Sequence, residues 1–427
     1  MKKIKQELQD RWLLFQNTSD EIFEKIDAWK ADFYCGFDPT ADSLHLGNFI
    51  GFMVAIHLMR RWNKYVALTG WATGMIGDPG GKDSERTFLS MELLDENQKA
   101  ISSQISGILK NLSQNLWENF SYDFVNNKDF YKNMWYLDFL REVWKFITVN
   151  TMISKDTVKK RIEDPDKSIS YTEFSYMLLQ GYDFVHLFEK ENIILQIWWQ
   201  DQWGNLVTWT ELIRKKLNWD SYAITWPLIT DSTGKKFGKS EGNAIWLDRN
   251  KTSPYEIYQY FINTADEDVE RYLKMLTLIE TEEIEEIVKK HLQAPEKREA
   301  QKLLAYKVVE IIHWEKNAKL SQKISEFMFG DPEKRVETLE NLDKNDLETF
   351  AREIGWFNYS GENLFETIVK SWLEKSNSNA RNSIKSWAVY INEKKVEDFN
   401  LDVAKEFLKN WSLLLRKGKK NFRIIKK

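Results

Sequence analysis

The sequence predicts an α/β protein built on an open, doubly wound parallel sheet, with a helical domain behind it and a C-terminal stretch of different character. Three observations carry this. Near the N-terminus two short strand patterns flank a helical pattern at βαβ spacing, and the strand-then-polar-loop pattern returns between residues 192 and 225. From about Ser253 to Phe350 the chain turns acidic, amphipathic and poor in glycine, which predicts helices.

In chain order, FYCGFDPT (Phe33 to Thr40) reads as a strand entering a loop. Ser43 precedes LHLGNFIGFMVAIHLMRR, whose apolar residues recur at helical spacing, so Ser43 is the expected N-cap. KYVALTG follows as a short buried strand ending in a Gly-rich turn. NIILQ (Asn192 to Gln196) and Tyr222 to Thr225 are further strands, and YEIYQYFINTADEDVERYLKML opens the helical stretch. The character changes again from about Gly361. The last 16 residues hold Arg416, Lys417, Lys419, Lys420, Arg423, Lys426 and Lys427 and no acid. Fixed-period repeats and low-complexity linkers are absent from the sequence.

Composition bounds the function. A chain of 427 residues has room for two to three domains, each with a real core. Its net charge of -4 provides no global field toward nucleic acid, so any RNA contact must be local. The single cysteine, Cys35, excludes an intrachain disulfide and a cysteine-rich zinc site and suits a reducing, cytoplasmic setting. No apolar run approaches the length of a membrane span, and MKKIKQELQDRW lacks the apolar core of a signal peptide, so a soluble protein that is not exported is expected. One count is anomalous: 19 Trp against 18 Gly. At the usual frequency of about 7%, glycine would number roughly 30.

Two short motifs carry chemistry. His45-Leu46-Gly47-Asn48 opens a helix after a strand and loop, so an imidazole and an amide lie beside free backbone N–H groups and a positive dipole end, where phosphate is favoured. Standing alone, a helix-start histidine is as readily structural. Lys236-Phe237-Gly238-Lys239-Ser240 follows a strand and the turn DSTG, and its two lysines on a Gly-containing loop can fold over a polyphosphate. Its bland alternative is a solvated lysine loop.

In this order and separation the two motifs resemble the paired "HIGH" and "KMSKS" signatures of class I aminoacyl-tRNA synthetases. The resemblance narrows to the tyrosyl-tRNA synthetase family through YCGFDPTADSLHLGN, ATGMIGDP, TEFSYMLLQGYDF, QDQWGN and KFGKSEGNAIWLD, and it spans essentially the whole chain. NARNSIKSWAVYIN with LLLRKGKKN resembles the small ribosomal-protein-like RNA-binding module that ends bacterial members.

The resemblance implies a Rossmann-like catalytic domain over 1–248 with an insertion, a helical anticodon-side domain over 249–345, and a small α+β RNA-binding module over 361–427. It implies a tyrosine-tRNA ligase that joins L-tyrosine to ATP as tyrosyl-adenylate and then charges tRNA(Tyr). Tyr34 and Asp183 match the residues that read the substrate phenol; this family is the standard example of rejecting phenylalanine through polar groups left unpaired. Asp78, Tyr176 and Gln180, with Gln202 nearby, match the ammonium-binding set. Tyr176, Gln180 and Asp183 fall at i, i+4 and i+7, one face of a helix, a spacing that any amphipathic helix also shows. Asp38, Thr40, His45, Gly47 and Asn48 match the ATP-binding segment, with Asp201 on the ribose; many family members carry a second His where Asn48 stands. Lys82 and Arg86 match a loop that, with Lys236 and Lys239, gathers around departing pyrophosphate. Mg²⁺ is expected with ATP, without a prosthetic group or a dedicated metal site. The family also implies a homodimer through roughly residues 120–160, and no membrane partner.

Against the family pattern, tryptophan stands where glycine is expected. G-G-A-T-G appears as Gly70-Trp71-Ala72-Thr73-Gly74, and Q-I-G-G as Gln196-Ile197-Trp198-Trp199. The same exchange is read at Trp12, Trp29, Trp62, Trp135, Trp144, Trp209, Trp219, Trp314, Trp372, Trp387 and Trp411. Trp203 and Trp246 match family tryptophans, whereas Trp117, Trp226 and Trp356 have no assignment. Reversing the fourteen exchanges would bring glycine from 18 to 32 and tryptophan from 19 to 5, close to ordinary usage. The pattern suggests a gene in which UGA means glycine, here translated as tryptophan. Two other readings stay open: an RNA-binding protein on a synthetase scaffold that has lost catalysis, which literal Trp198 and Trp199 favour, and tryptophanyl rather than tyrosyl specificity.

Overall fold

The computed structural model describes residues 2–78, 88–164, 168–234, 236–240, 243–418 and 421–427. The chain forms two compact units, one of residues 1–253 with 260–314, the other of residues 254–259 with 315–427. Five helices, Pro254–Ile262, Asp266–Leu276, Thr281–His291, Glu299–Phe329 and Lys344–Ile354, fill most of the predicted helical stretch, and the division between the units falls within it.

The first unit is built on a six-stranded sheet of β1 (Gln16–Asn17), β2 (Phe33–Phe37), β3 (Tyr65–Thr69), β4 (Tyr122–Asn126), β5 (Leu195–Trp199) and β6 (Tyr222–Trp226), in the order β1-β6-β5-β2-β3-β4. Only β1 runs antiparallel, as an edge against β6. β2, β3 and β6 are buried along their whole length, as expected for strands covered on both faces. From β2 the chain moves outward through β3 and β4, then returns to the other side of β2 to lay down β5 and β6. The reversal lies between β2 and β5, so the carboxyl ends of these two strands open onto the crevice where such sheets bind ligands.

The helix after β2 runs Leu46–Met59, with every residue but Asn48 buried. Its N-cap is His45, not Ser43. His45 Nδ1 accepts from the Asn48 backbone N–H at 3.3 Å, while Asn48 Oδ1 accepts from the His45 N–H at 3.1 Å, a reciprocal capping box. Ser43 instead accepts from the Asp248 N–H and from Gln104 Nε2, tying the preceding loop to its surroundings. Under this frame, Arg11 is almost fully buried and donates to the carbonyls of Lys274, Thr277 and Ile279 and to Glu7.

Helix ends show where tryptophan meets the backbone. Thirteen non-glycine residues adopt positive φ among the described residues, and eight are tryptophan: Trp12, Trp29, Trp62, Trp117, Trp314, Trp372, Trp387 and Trp411. At Trp12 the N–H donates to Gln9 O and the next N–H, of Leu13, donates to Leu8 O, the bonding of a Schellman motif with tryptophan at the left-handed position. Trp29, Trp372 and Trp387 repeat it with Lys30, Leu373 and Ala388. Glycine fills this position without cost, whereas an L side chain there costs about 1–2 kcal/mol.

In the second unit a five-stranded sheet of β9 (Trp356–Asn358), β10 (Val389–Ile391), β11 (Lys394–Lys395), β12 (Ser412–Lys417) and β13 (Asn421–Lys426) takes the order β11-β10-β12-β13-β9; the first unit adds a small hairpin, β7 (Lys239–Ser240) with β8 (Asn243–Ala244). Leu413, Leu415 and Ile425 pack beneath the five-stranded sheet with Ile368 and Ile384. Among the described residues no helix is long and apolar enough to cross a membrane.

Candidate active site

One half of the crevice is a cluster of buried polar side chains. Tyr34 on β2 stands beside Gln196 on β5 in sheet register, and its hydroxyl donates to Gln196 Oε1 at 3.1 Å; Gln196 Nε2 in turn donates to Leu206 O. The helix Tyr171–Glu191, N-capped by Ser170, turns Tyr176, Gln180 and Asp183 inward on one face, and all three are buried. Asp183 accepts from Asn127 Nδ2 and from the Tyr131 hydroxyl, both at 2.9 Å. Burial outweighs these two donors and pushes the Asp183 carboxyl up to about 8, so the free protein holds it largely protonated at neutral pH. The Tyr176 hydroxyl donates to Asp38 at 2.8 Å, and Thr73 donates to the other oxygen of Asp38 at 2.7 Å. Gln180 Oε1 is buried and accepts no hydrogen bond. Its neighbours leave a buried acceptor waiting for a donor, a costly arrangement unless a ligand supplies one.

The other half consists of loops. Gly238, at φ +77°, packs so closely on the Leu46 helix start that a Cβ there would lie 3.1 Å from the Gly47 nitrogen, which brings the two signature motifs together. Leu46 N–H donates to Ile245 O, and Ile245 N–H to Gly238 O, fixing the second motif over the first. A Cβ at Gly47 would meet the His45 ring at 2.8 Å, so glycine is needed there to keep the imidazole against the helix end. Lys236 is exposed, and Lys239 opens β7. Thr40 is exposed beside Asp38, with its N–H donating to Asp38 O. Asp201 and Gln202 lie just past β5; the Asp201 carboxyl is raised by the protein packed around it and by nearby Asp78, and Gln202 accepts from Asn205. Asp78 also acts electrostatically on Tyr176. Lys82 and Arg86 lie outside the described residues.

Trp198 and Trp199 end β5 in this same crevice. The Trp198 ring lies against Gly36, near Phe37, and the Trp199 ring reaches toward Gly47 and packs on Trp226. Trp71 starts the helix Trp71–Ile76 nearby, with its indole N–H buried and unpartnered and Lys128 over its ring at 4.1 Å. Trp144 and Trp226 also bury unpartnered indole N–H groups.

Four residues of the polar cluster went unread as site residues in the sequence: Thr73, Asn127, Tyr131 and Gln196. Gln196 carried a signal, being the polar residue that closes the apolar run of its strand pattern; Asn127 and Tyr131 come from a segment distant in sequence. The C-terminal basic run is only partly available to a ligand. Arg416 is held by Glu393 at 2.6 Å, Arg423 donates to Ser371 O and Phe422 O, and Lys417 pairs with Glu374 at 2.7 Å. Lys426 and Lys427 lie over the rings of Trp356 and Trp411, and Lys419 and Lys420 fall outside the described residues.

Comparison with known proteins fits this geometry. Residues 28–330 match the family model "tRNA synthetases class I (W and Y)", and residues 346–425 match "Tyrosine--tRNA ligase SYY-like C-terminal domain". The chain is 40% identical over 425 residues to a tyrosine-tRNA ligase of Streptococcus gordonii, covering 98% of each. It is 41% identical over 427 residues to one of Streptococcus pyogenes, covering 98% of this chain and 99% of the relative. Among solved structures, the C-terminally truncated mitochondrial tyrosyl-tRNA synthetase of Aspergillus nidulans superposes with a TM-score of 0.70 at 28% identity, covering 77% of this chain and 95% of that one. A tyrosyl-tRNA synthetase of Archaeoglobus fulgidus shares the fold, with a TM-score of 0.53 at 16% identity over 75% of this chain and 99% of that one. A Rossmann-like sheet with a ligand crevice at its reversal, two signature motifs in contact across it, and full-length kinship at this level together establish that the chain belongs to the tyrosine-tRNA ligase family of class I aminoacyl-tRNA synthetases.

Proposed function

We propose that the buried polar cluster binds L-tyrosine and that the loop half of the crevice binds ATP. The unpartnered Gln180 Oε1, buried one helical turn from Asp183, carries this reading. An ammonium group donates to Gln180 with Tyr176 and Asp78 close by, and a phenol reaches Tyr34 and Asp183. A substrate carboxylate oxygen then attacks the α-phosphorus of ATP; the new P–O bond forms as the bond to the bridging oxygen breaks, and pyrophosphate leaves with the electron pair. Lys236 and Lys239, with Lys82 and Arg86, stabilise the charge growing on that leaving group, while His45 and Asn48 hold the helix start against the phosphates. In the second step a ribose hydroxyl at the tRNA 3′ end attacks the tyrosyl carbonyl and AMP departs. Neither step needs a protein nucleophile, so positioning and electrostatics do the work. Mg²⁺ arrives with ATP as part of that substrate. Pyrophosphate exchange with tyrosine, phenylalanine and tryptophan, followed by tRNA charging, tests the reading: exchange driven by tyrosine alone is expected, and exchange driven by tryptophan would overturn it.

The enzyme acts as a homodimer in the cytoplasm. Supporting the first point, Tyr136, Leu137 and Val149 are large apolar residues exposed within one stretch, an area a second copy would cover. Light scattering on the purified protein checks it, and a monomer at micromolar concentration would count against it. The second rests on Cys35, a single buried thiol whose ionisation burial suppresses.

The working enzyme carries glycine at the tryptophans named above, through a UGA codon read as glycine. Seven of the fourteen adopt positive φ, six of them at helix ends or at the kink of the Glu299–Phe329 helix and Trp411 in the turn before β12, and Trp117, unassigned from sequence, joins the helix-end group. Trp71, Trp198 and Trp199 instead crowd the crevice. Codons decide the matter: the idea fails if Trp71, Trp198 and Trp199 share the codon of Trp203 and Trp246. In that case the indoles are real, and a noncatalytic RNA-binding role becomes the better reading.

A further inference from the structure

Asp183 is held from two sides before any substrate arrives. Asn127 takes Oδ2 from the end of β4, and the Tyr131 hydroxyl takes Oδ1 at 2.9 Å from the short helix Lys128–Tyr131. The Tyr131 hydroxyl also lies 2.7 Å from Leu179 O, on the helix that carries Asp183, and its ring packs against Tyr182 and Phe139. A phenol has one proton, so two acceptors within 3 Å compete for it. When the proton points to Leu179, the Asp183 contact survives only with a proton on the carboxyl; when it points to Asp183, the ionised carboxylate is stabilised. The hydroxyl therefore serves both protonation states of the buried acid, and its aromatic packing fixes where Oδ1 sits. No other hydroxyl donates to Asp183 among the described residues: Tyr34, the second phenol nearby, turns to Gln196.

We propose that Tyr131 is a specificity-determining positioning residue, whose hydroxyl orients Asp183 so that the enzyme distinguishes tyrosine from phenylalanine. The inference rests on the reading of Asp183 as the group that meets the substrate phenol. Tyr131 touches Asp183 and acts through it. Removing its hydroxyl leaves the ring packing in place but frees Oδ1 to rotate, which weakens a contact that phenylalanine never makes.

Tyr131→Phe in the full chain tests this, with equilibrium binding of L-tyrosine and L-phenylalanine measured by calorimetry and KM and kcat by pyrophosphate exchange. Affinity and KM for tyrosine are expected to worsen about five- to tenfold, the effect of one hydrogen bond, while phenylalanine binding, KM for ATP and kcat stay within twofold. The pH midpoint of tyrosine KM should also move upward, because the carboxylate loses a donor. A purely structural role would change both amino acids alike or leave the midpoint in place, and either result overturns the proposal. Asp183→Asn runs beside it. If that variant binds tyrosine normally, the reading of Asp183 fails; if it loses tyrosine while Tyr131→Phe does not, only the role of Tyr131 fails.

Discussion

The two halves of the crevice are built on different principles. On the amino-acid side, Tyr34, Tyr176, Gln180 and Asp183 project from β2 and one long helix, and hydrogen bonds donated by Asn127, Tyr131 and Thr73 and accepted by Gln196 fix their surroundings. On the nucleotide side the groups sit on loops and a helix start, with the Trp199 indole reaching toward Gly47 and the Trp198 indole one residue away against Gly36. The first half is preorganised by polar contacts that a ligand completes. The second has motifs in the right contact with aromatic bulk set among them. The contrast teaches that a site can keep its binding chemistry while a local change of side-chain volume decides whether a second substrate fits.

The largest effect should come from relieving that bulk. In the chain as written, Trp198→Gly with Trp199→Gly is expected to raise tyrosine-dependent pyrophosphate exchange by about a hundredfold or more, since small misplacements of reacting groups cost that much. Tyrosine affinity should shift by less than threefold; if it rises in step with exchange, the two halves are not separable. Asp183→Asn probes the other half. It should lower kcat/KM for tyrosine by about tenfold, the worth of one hydrogen bond to a buried carboxyl, and leave KM for ATP alone.

The same variant carries a stability signature. Because the folded pKa of Asp183 is raised to about 8, the folded protein binds a proton that the unfolded chain releases above about pH 4, so burial of this acid destabilises progressively from pH 4 to 8 and levels off above. Asp183→Asn should therefore raise the thermal midpoint most at pH 8 and least near pH 4. A uniform change across that range would count against the shifted carboxyl. Lys236→Ala should act only on the nucleotide side, lowering kcat about tenfold with KM for tyrosine unchanged. Smallest are the helix ends remote from both halves: Trp12→Gly or Trp372→Gly should each stabilise by about 1 kcal/mol in denaturant titration without altering either substrate, because glycine accepts the left-handed backbone they occupy.

Much of this was legible in the sequence because it rests on local periodicity. The βαβ unit of β2, the Leu46 helix and β3 followed from two short strand patterns flanking an apolar pattern at helical spacing, whereas Tyr176, Gln180 and Asp183 were singled out by the family resemblance, their spacing being that of any amphipathic helix. The helix start was misassigned to Ser43, since a His–Asn capping box does not use the hydroxyl that marks most N-caps. Asn127, Tyr131 and Gln196 stayed hidden because their roles exist only where β4, a short helix and β5 converge. The two-residue edge strand β1 is too short to carry a pattern. The tryptophans were visible as a count, but their consequences divide by backbone: at Trp12, Trp29, Trp372 and Trp387 the cost is a dihedral angle, and at Trp198 and Trp199 it is volume.

The peptide containing positions 198 and 199, taken from the protein as purified from the cells that make it, gives the most direct measurement, by mass spectrometry. Glycine at both positions is predicted, together with tyrosine-dependent pyrophosphate exchange by that same preparation. Tryptophan at both positions, in a preparation that activates tyrosine at full rate, would contradict the claim that these indoles obstruct the nucleotide half of the site.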